Sequence, residues 1–114
     1  MNVTASKLGM VNTVFDSPHG LCNIVNVSTA YDMALLTYNC MKCTVFAEVV
    51  KTPYYEMETA LSFYEWTNTN KLLGVDFDSE DGCELFKGTL GCKTGITQSA
   101  GACFAGCFSR KKKS

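Results

Sequence analysis

The sequence predicts an α+β fold in which helices come first and an antiparallel β-hairpin comes last. Three observations carry that expectation. Apolar residues recur at helical spacing early in the chain, at Val3, Ala5 and Leu8 and again at Ala30, Met33, Ala34 and Tyr38. From Leu85 the pattern turns to β-type runs, "LFKGTLGCKTGIT" and "GACFAGCFSR". Between them stands Gln98-Ser99-Ala100, the length of a hairpin connection.

Residues 1 to 9 read as the last turns of a helix, with Gly9 as its stop. A helix opening at Met1 without a cap reads as one that has lost its start. "MVNTVFDSPHGL" is then a short extended segment and an ordered loop, because Asp-Ser-Pro-His-Gly is a dense run of turn formers. Over "VSTAYDMALLTYNCMKC" the spacing predicts a helix capped by Ser28, with Asp32 in its first turns. "TVFAEVV" suggests a second, shorter helix. Alternation and aromatics in "YYEMETALSFYEWTNTNKLL" indicate strand pieces, interrupted by the polar Thr67-Asn68-Thr69-Asn70. "GVDFDSEDG" reads as a solvated acidic turn, since its Asp76, Asp78 and Asp81 lack the closing glutamate spacing of a calcium loop. In the final hairpin the glycines at 88, 91, 95, 101 and 106 are dense for strands. Glycine inside a strand marks the close approach of another backbone or a ligand.

One domain is the expectation for 114 residues with 46% hydrophobic and 18% charged residues. A formal charge of −1 provides no overall field towards nucleic acid or an anionic membrane. The basic run Arg110-Lys111-Lys112-Lys113 reads as a solvated tail, 110–114, following a domain at 1–109. No stretch has the length and apolarity of a membrane helix, and "MNVTASKLGM" lacks the pattern of a signal peptide. The compartment is not legible. Asn2-Val-Thr4 and Asn26-Val-Ser28 are glycosylation sequons too common by chance to locate the protein.

Seven cysteines are many for this length. Cys40-Met-Lys-Cys43 and the pair Cys103, Cys107 could in principle offer four thiolates to zinc, but the second pair has three residues between its cysteines and the first ends a helical pattern. Buried small apolar side chains are the preferred reading, so no metal and no cofactor is assigned. His19, alone in a loop, is read as structural, because a general base needs its nucleophile within hydrogen-bond reach.

Taken in order, "KLGMVNTVFDSPHGL", "STAYDMALL", "WTNTNKLL", "FKGTLGCKTGIT" and "AGACFAGC" resemble the D-alanyl-D-alanine carboxypeptidases, the S11 serine peptidases among the penicillin-binding proteins. The likeness runs over about nine-tenths of the chain. It implies part of a penicillin-binding protein/β-lactamase-like transpeptidase fold, serine-type carboxypeptidase chemistry and a peptide substrate ending in D-Ala-D-Ala. It also implies roles for one strand. Lys93 would place positive charge near the substrate's terminal carboxylate and join the proton network, and Thr94 would hydrogen-bond that carboxylate. Gly95 would let the substrate peptide lie against the strand, and the Ile96 N–H would be an oxyanion donor. Thr97, Gly101 and Cys103 match the family in what reads as a structural capacity.

The departure from the family is equally specific. Its Ser-x-x-Lys nucleophile motif occurs here only as Ser109-Arg-Lys-Lys112, in the basic tail, and no Ser-x-Asn occurs at all. Without a nucleophile no acyl-enzyme forms, so these residues alone are expected to lack carboxypeptidase activity. The leading reading is a fragment carrying the Lys-Thr-Gly wall of a serine carboxypeptidase. The alternative is a non-catalytic, peptide-binding or vestigial homologue, and a small zinc module rests on the cysteines alone. Half a core left uncovered would make the isolated chain associate.

Overall fold

A computed structural model describes residues 1–21, 23–74 and 86–110. Helix α1 spans Asn2–Lys7, α2 Ala30–Cys40 and α3 Thr44–Lys51. Strands β1 (Tyr54–Glu58) and β2 (Phe63–Thr67) form one antiparallel hairpin, and β3 (Thr89–Thr97) and β4 (Gly101–Phe108) form another. A 3-10 turn at Lys71–Leu73 lies between the hairpins in sequence. The α+β expectation, helices first and a hairpin last, is met. The acidic stretch 75–82 lies outside the described residues, as does most of the basic tail.

Helix α1 is shorter than the apolar spacing suggested. It ends before Gly9, whose φ of 80° only glycine adopts without strain. Of its predicted apolar face only Ala5 is buried, while Val3 stands 72% exposed because nothing in the described chain packs over it. The loop that follows is bracketed by side-chain amides. Asn2 donates to the Phe15 carbonyl and accepts from the Phe15 N–H, and Asn26 accepts from the Asp16 and Ser17 N–H groups. Both sequon asparagines therefore hold backbone in place. Val14 and Val27 close the loop as an isolated antiparallel bridge.

The N-cap of α2 is Thr29, not Ser28: the Thr29 hydroxyl accepts the Asp32 N–H at 3.1 Å. The buried side of α2 also differs from the apolar stripe. Tyr38 is exposed, with the Lys42 ammonium 4.3 Å from its ring centre, whereas Asp32 is wholly buried. The Asp32 carboxylate accepts the Asn12 N–H at 2.9 Å and the Thr13 hydroxyl at 2.7 Å, and Thr13 also contacts the Ser28 hydroxyl. A buried carboxyl group is tolerated where donors replace its water; both donors here fall on Oδ2, and Oδ1 has no partner among the described residues. Here those donors come from the loop, which ties the first third of the chain to α2.

Helices α2 and α3 pack on the β3–β4 hairpin, α3 on β3 and α2 on β4. Gly91 makes the α3 contact possible: a β-carbon there would lie 2.7 Å from Val50 Cγ2, and its φ of 128° is closed to other residues. Among the described residues the buried apolar ones are few, namely Ala5, Met10, Leu73 and Cys92. The first hairpin is exposed on both faces, its side chains held by stacking of Trp66 on Tyr55 and Tyr64 with ring centres 6.0 and 5.7 Å apart. The accessible surface is 9306 Å², whereas a compact monomer of this mass would show about 6,200 Å². The radius of gyration, 16.5 Å, likewise exceeds the ~13 Å of a self-contained domain of this length. Much of what this sequence would bury is uncovered.

Candidate functional site

Strand β3 carries the Lys-Thr-Gly sequence in the middle of the second hairpin. Lys93 pairs with Ala105, Thr94 with Phe104, Gly95 with Cys103 and Ile96 with Ala102. The sheet has two strands, so among the described residues β3 is paired by β4 on one edge and open along the other. The N-terminal half of β3 is anchored: Thr89, Gly91 and Cys92 are buried under the helices. From Lys93 onward the strand emerges, with Lys93 exposed, Thr94 half-buried, and Gly95 and Ile96 exposed. A rigid root and a free tip suit a strand that presents backbone and side chains to a ligand.

The four sequence-predicted residues thus form one contiguous exposed segment. The Lys93 ammonium folds back onto the Thr94 carbonyl. Among the described residues nothing lies within 4 Å of where a Gly95 β-carbon would stand, so their packing does not require this glycine. Successive side chains of a strand alternate in direction, so Thr94 and Ile96 share one face while Lys93 and Gly95 share the other. A group reached by both the Thr94 hydroxyl and the Lys93 ammonium must sit at the open edge of β3, between the two faces.

One participant was missed by the sequence reading. The Thr69 hydroxyl meets the Thr94 hydroxyl at 2.5 Å. Thr69 belongs to the polar interruption after β2, and its neighbours explain its position. Asn68 donates its side-chain amide to the Val50 and Thr52 carbonyls, accepts the Asn70 N–H, and donates its own N–H to the Pro53 carbonyl. Asn70, 2% exposed, caps the following turn by accepting the Leu72 N–H. The available signal was the doubled asparagine in "TNTN", since asparagine side chains fix turns through their own backbone.

His19 accepts the Leu21 N–H on Nδ1, a local turn contact. The five described cysteines are free thiols, and among the described residues no group of three histidines, cysteines or carboxylates could hold a metal ion. Burial, and then the neighbouring Cys40 and Cys107, push the Cys92 thiol above its ordinary range. The serine of Ser109-Arg-Lys-Lys112 is bonded through its N–H to the Gly88 carbonyl at the open end of the hairpin. Gly88 precedes Lys93 by five residues, about 17 Å along an extended strand. No single helix among the described residues is long and apolar enough to cross a membrane.

Two helices packed on an antiparallel hairpin, with Lys-Thr-Gly where its first strand emerges from beneath them, match a segment of the penicillin-binding class of serine peptidases. The chain matches the D-alanyl-D-alanine carboxypeptidase family over residues 1–114 and belongs to it. It is 34% identical over 109 residues to a D-alanyl-D-alanine carboxypeptidase of Streptomyces sp. strain K15, with 90% of this chain and 34% of that protein covered. Against a D-alanyl-D-alanine carboxypeptidase of Bacillus subtilis strain 168 the identity is 32% over 105 residues, covering 90% and 24%. The crystal structure of the Streptomyces K15 DD-transpeptidase superposes on 96% of this chain and 40% of its own, with a TM-score of 0.78 at 34% identity. The chain therefore spans about a third and a quarter of the lengths of these two curated relatives.

Proposed function

We propose that this chain supplies the Lys-Thr-Gly wall of a serine-type D-alanyl-D-alanine carboxypeptidase site, whose acylated serine comes from polypeptide outside these residues. A substrate peptide would lie along the open edge of β3 as an added strand, with its C-terminal carboxylate at Thr94 and Lys93. The Thr94 hydroxyl donates to the carboxylate and the Lys93 ammonium neutralises it. Gly95 leaves room for the peptide, and the Ile96 N–H stabilises the tetrahedral intermediate's oxyanion. The observation that carries this reading is the open edge itself. Lys93 to Ile96 emerge from an anchored strand, with empty space above Gly95, in a chain that belongs to the D-alanyl-D-alanine carboxypeptidase family.

The acylation half of the chemistry is absent from these residues. Ser109 is about 17 Å along the strand from Lys93, on no helix, and is not a candidate nucleophile. The uncovered apolar surface belongs to the same argument, because the family fold extends well beyond the 40% that this chain matches. A fluorescent penicillin tests the proposal. The purified chain should take up no covalent label. Mixed with the first three-fifths of a D-alanyl-D-alanine carboxypeptidase domain, which carries Ser-x-x-Lys, it should restore labelling on that second polypeptide. Unchanged labelling with and without this chain would refute the complementing role. The lack of a nucleophile also favours a second reading, a non-catalytic binder of peptide carboxylates. Salt-sensitive binding of a D-Ala-D-Ala peptide with no labelling in the mixture would select it.

A further inference from the structure

We infer that Thr69 is a positioning residue for carboxylate recognition: it directs the Thr94 hydroxyl proton towards the ligand. The inference rests on the reading of Thr94 given above and adds to it the group that orients Thr94. A threonine hydroxyl has one proton and two acceptor sites, and when exposed it rotates freely between partners. In a strand, Thr94 could turn its proton to water or to a neighbouring carbonyl. The Thr69 hydroxyl competes with those partners, standing 2.5 Å from Thr94 Oγ1, where either hydroxyl can donate. When Thr94 gives its one proton to a carboxylate, Thr69 becomes the donor to Thr94 Oγ1 and holds that proton turned away from itself, towards the open edge of β3.

Thr69 can serve in this way because it cannot drift. It stands between two asparagines that are both tied down, Asn68 through the Val50, Thr52 and Pro53 carbonyls and Asn70 through the Leu72 N–H. Asn70 is buried, and the turn it caps packs against β3. The segment thus places one hydroxyl above Thr94 at little cost in entropy when the ligand arrives, which is what preorganised recognition requires. Thr69 touches Thr94 and no reacting atom, so its effect is exerted on affinity and on discrimination between a charged carboxylate and a neutral end group.

The experiment uses the 114-residue chain labelled with nitrogen-15 and two probes, acetyl-Lys-D-Ala-D-Ala and the same peptide with a C-terminal amide. Binding is read from amide shifts at Lys93 to Ile96. The wild-type chain should prefer the carboxylate. Thr69→Val should weaken carboxylate binding about five- to tenfold, the loss expected for one hydrogen bond, and leave the amide peptide unchanged. Thr69→Ser, which keeps the hydroxyl, should restore the preference. Should the valine variant misfold by its own spectrum, Thr69→Ala compared with Thr69→Ser gives the same contrast. Equal losses for both peptides would mean that Thr69 is merely structural, and an unchanged preference would remove it from the site; either outcome overturns the inference while leaving Thr94 as the carboxylate contact. If the wild-type chain shows no preference for the carboxylate, the reading of Thr94 fails first and this inference falls with it.

Discussion

Gly91 and Gly95 lie four residues apart on one strand and should respond to the same substitution in opposite ways. At Gly91 an alanine β-carbon would stand 2.7 Å from Val50 Cγ2, 3.0 Å from Val50 Cβ and 3.0 Å from the Val50 carbonyl oxygen. Overpacking of this kind costs about 1–3 kcal/mol, and the backbone φ of 128° adds about 1–3 kcal/mol for a residue with a β-carbon. The sum, about 2–6 kcal/mol, is large beside the ~6–17 kcal/mol expected of a whole domain of this length. With a typical urea slope of ~2 kcal/mol per molar, Gly91→Ala should lower the midpoint by about 1 M or more. Circular dichroism against urea is the assay. Val50→Ala in the same chain removes the Cγ2 contact, the shortest of the three, but neither the Cβ and carbonyl contacts nor the φ strain, so Gly91→Ala should cost less in that background than in the wild type. Strictly additive losses would refute the steric account, and a neutral Gly91→Ala would refute the packing of α3 on β3. Gly95→Ala meets open space and should leave the stability within about 1 kcal/mol of wild type, a midpoint shift of about 0.5 M at most. Its loss should be functional: the D-Ala-D-Ala peptide would no longer bind. Unimpaired binding by Gly95→Ala would contradict a ligand lying against this strand.

Other expectations concern the charges, thiols and surface. Asp32→Ala removes the acceptor of the Asn12 N–H and leaves the Thr13 hydroxyl only its Ser28 contact, and should destabilise the chain by about 1–3 kcal/mol, seen as a lowered urea midpoint. Lys93→Ala should weaken peptide-carboxylate binding and flatten its salt dependence, measured by the same titration at two ionic strengths. The Cys92 thiol, raised chiefly by burial, keeps its proton more tightly folded than unfolded. Its contribution to stability is therefore complete below the unfolded thiol's range and is lost as pH rises through the folded value, so urea midpoints should fall on the alkaline side. A Cys92→Ala variant that falls equally would assign that loss elsewhere. Light scattering of the purified chain should show association through its uncovered apolar surface, and a compact monomer would refute that expectation.

How much of this was legible in the residues differs from element to element. Helical spacing located α2 and α3, and the change of pattern at Leu85 located the hairpin, because both signals are local. The cap of α2 was misplaced by one residue, since adjacent Ser28 and Thr29 are equally suited and only the backbone geometry selects between them. The buried side of α2 could not be read from its apolar residues at all. Asp32 faces inward because Asn12 and Thr13, about twenty residues earlier, are folded back to meet it. Tyr38 faces outward for want of a covering element. Thr69 is the clearest case at the candidate site: twenty-five residues separate it from Thr94, and nothing in local spacing joins them.

The sequence by itself determined the family and the order of the elements, and it pointed to Lys93 to Ile96 as the candidate segment, because ordered motifs, hydrophobic periods and glycine placement are written along the chain. It equally determined that residues 1–114 hold no Ser-x-x-Lys outside the basic tail. Only the tertiary structure decided which groups meet across the fold: Val50 against Gly91, the loop donors around Asp32, and the Thr69 hydroxyl on Thr94. Such contacts depend on how separate elements pack, and packing is set by the summed surfaces of distant segments rather than by any local pattern.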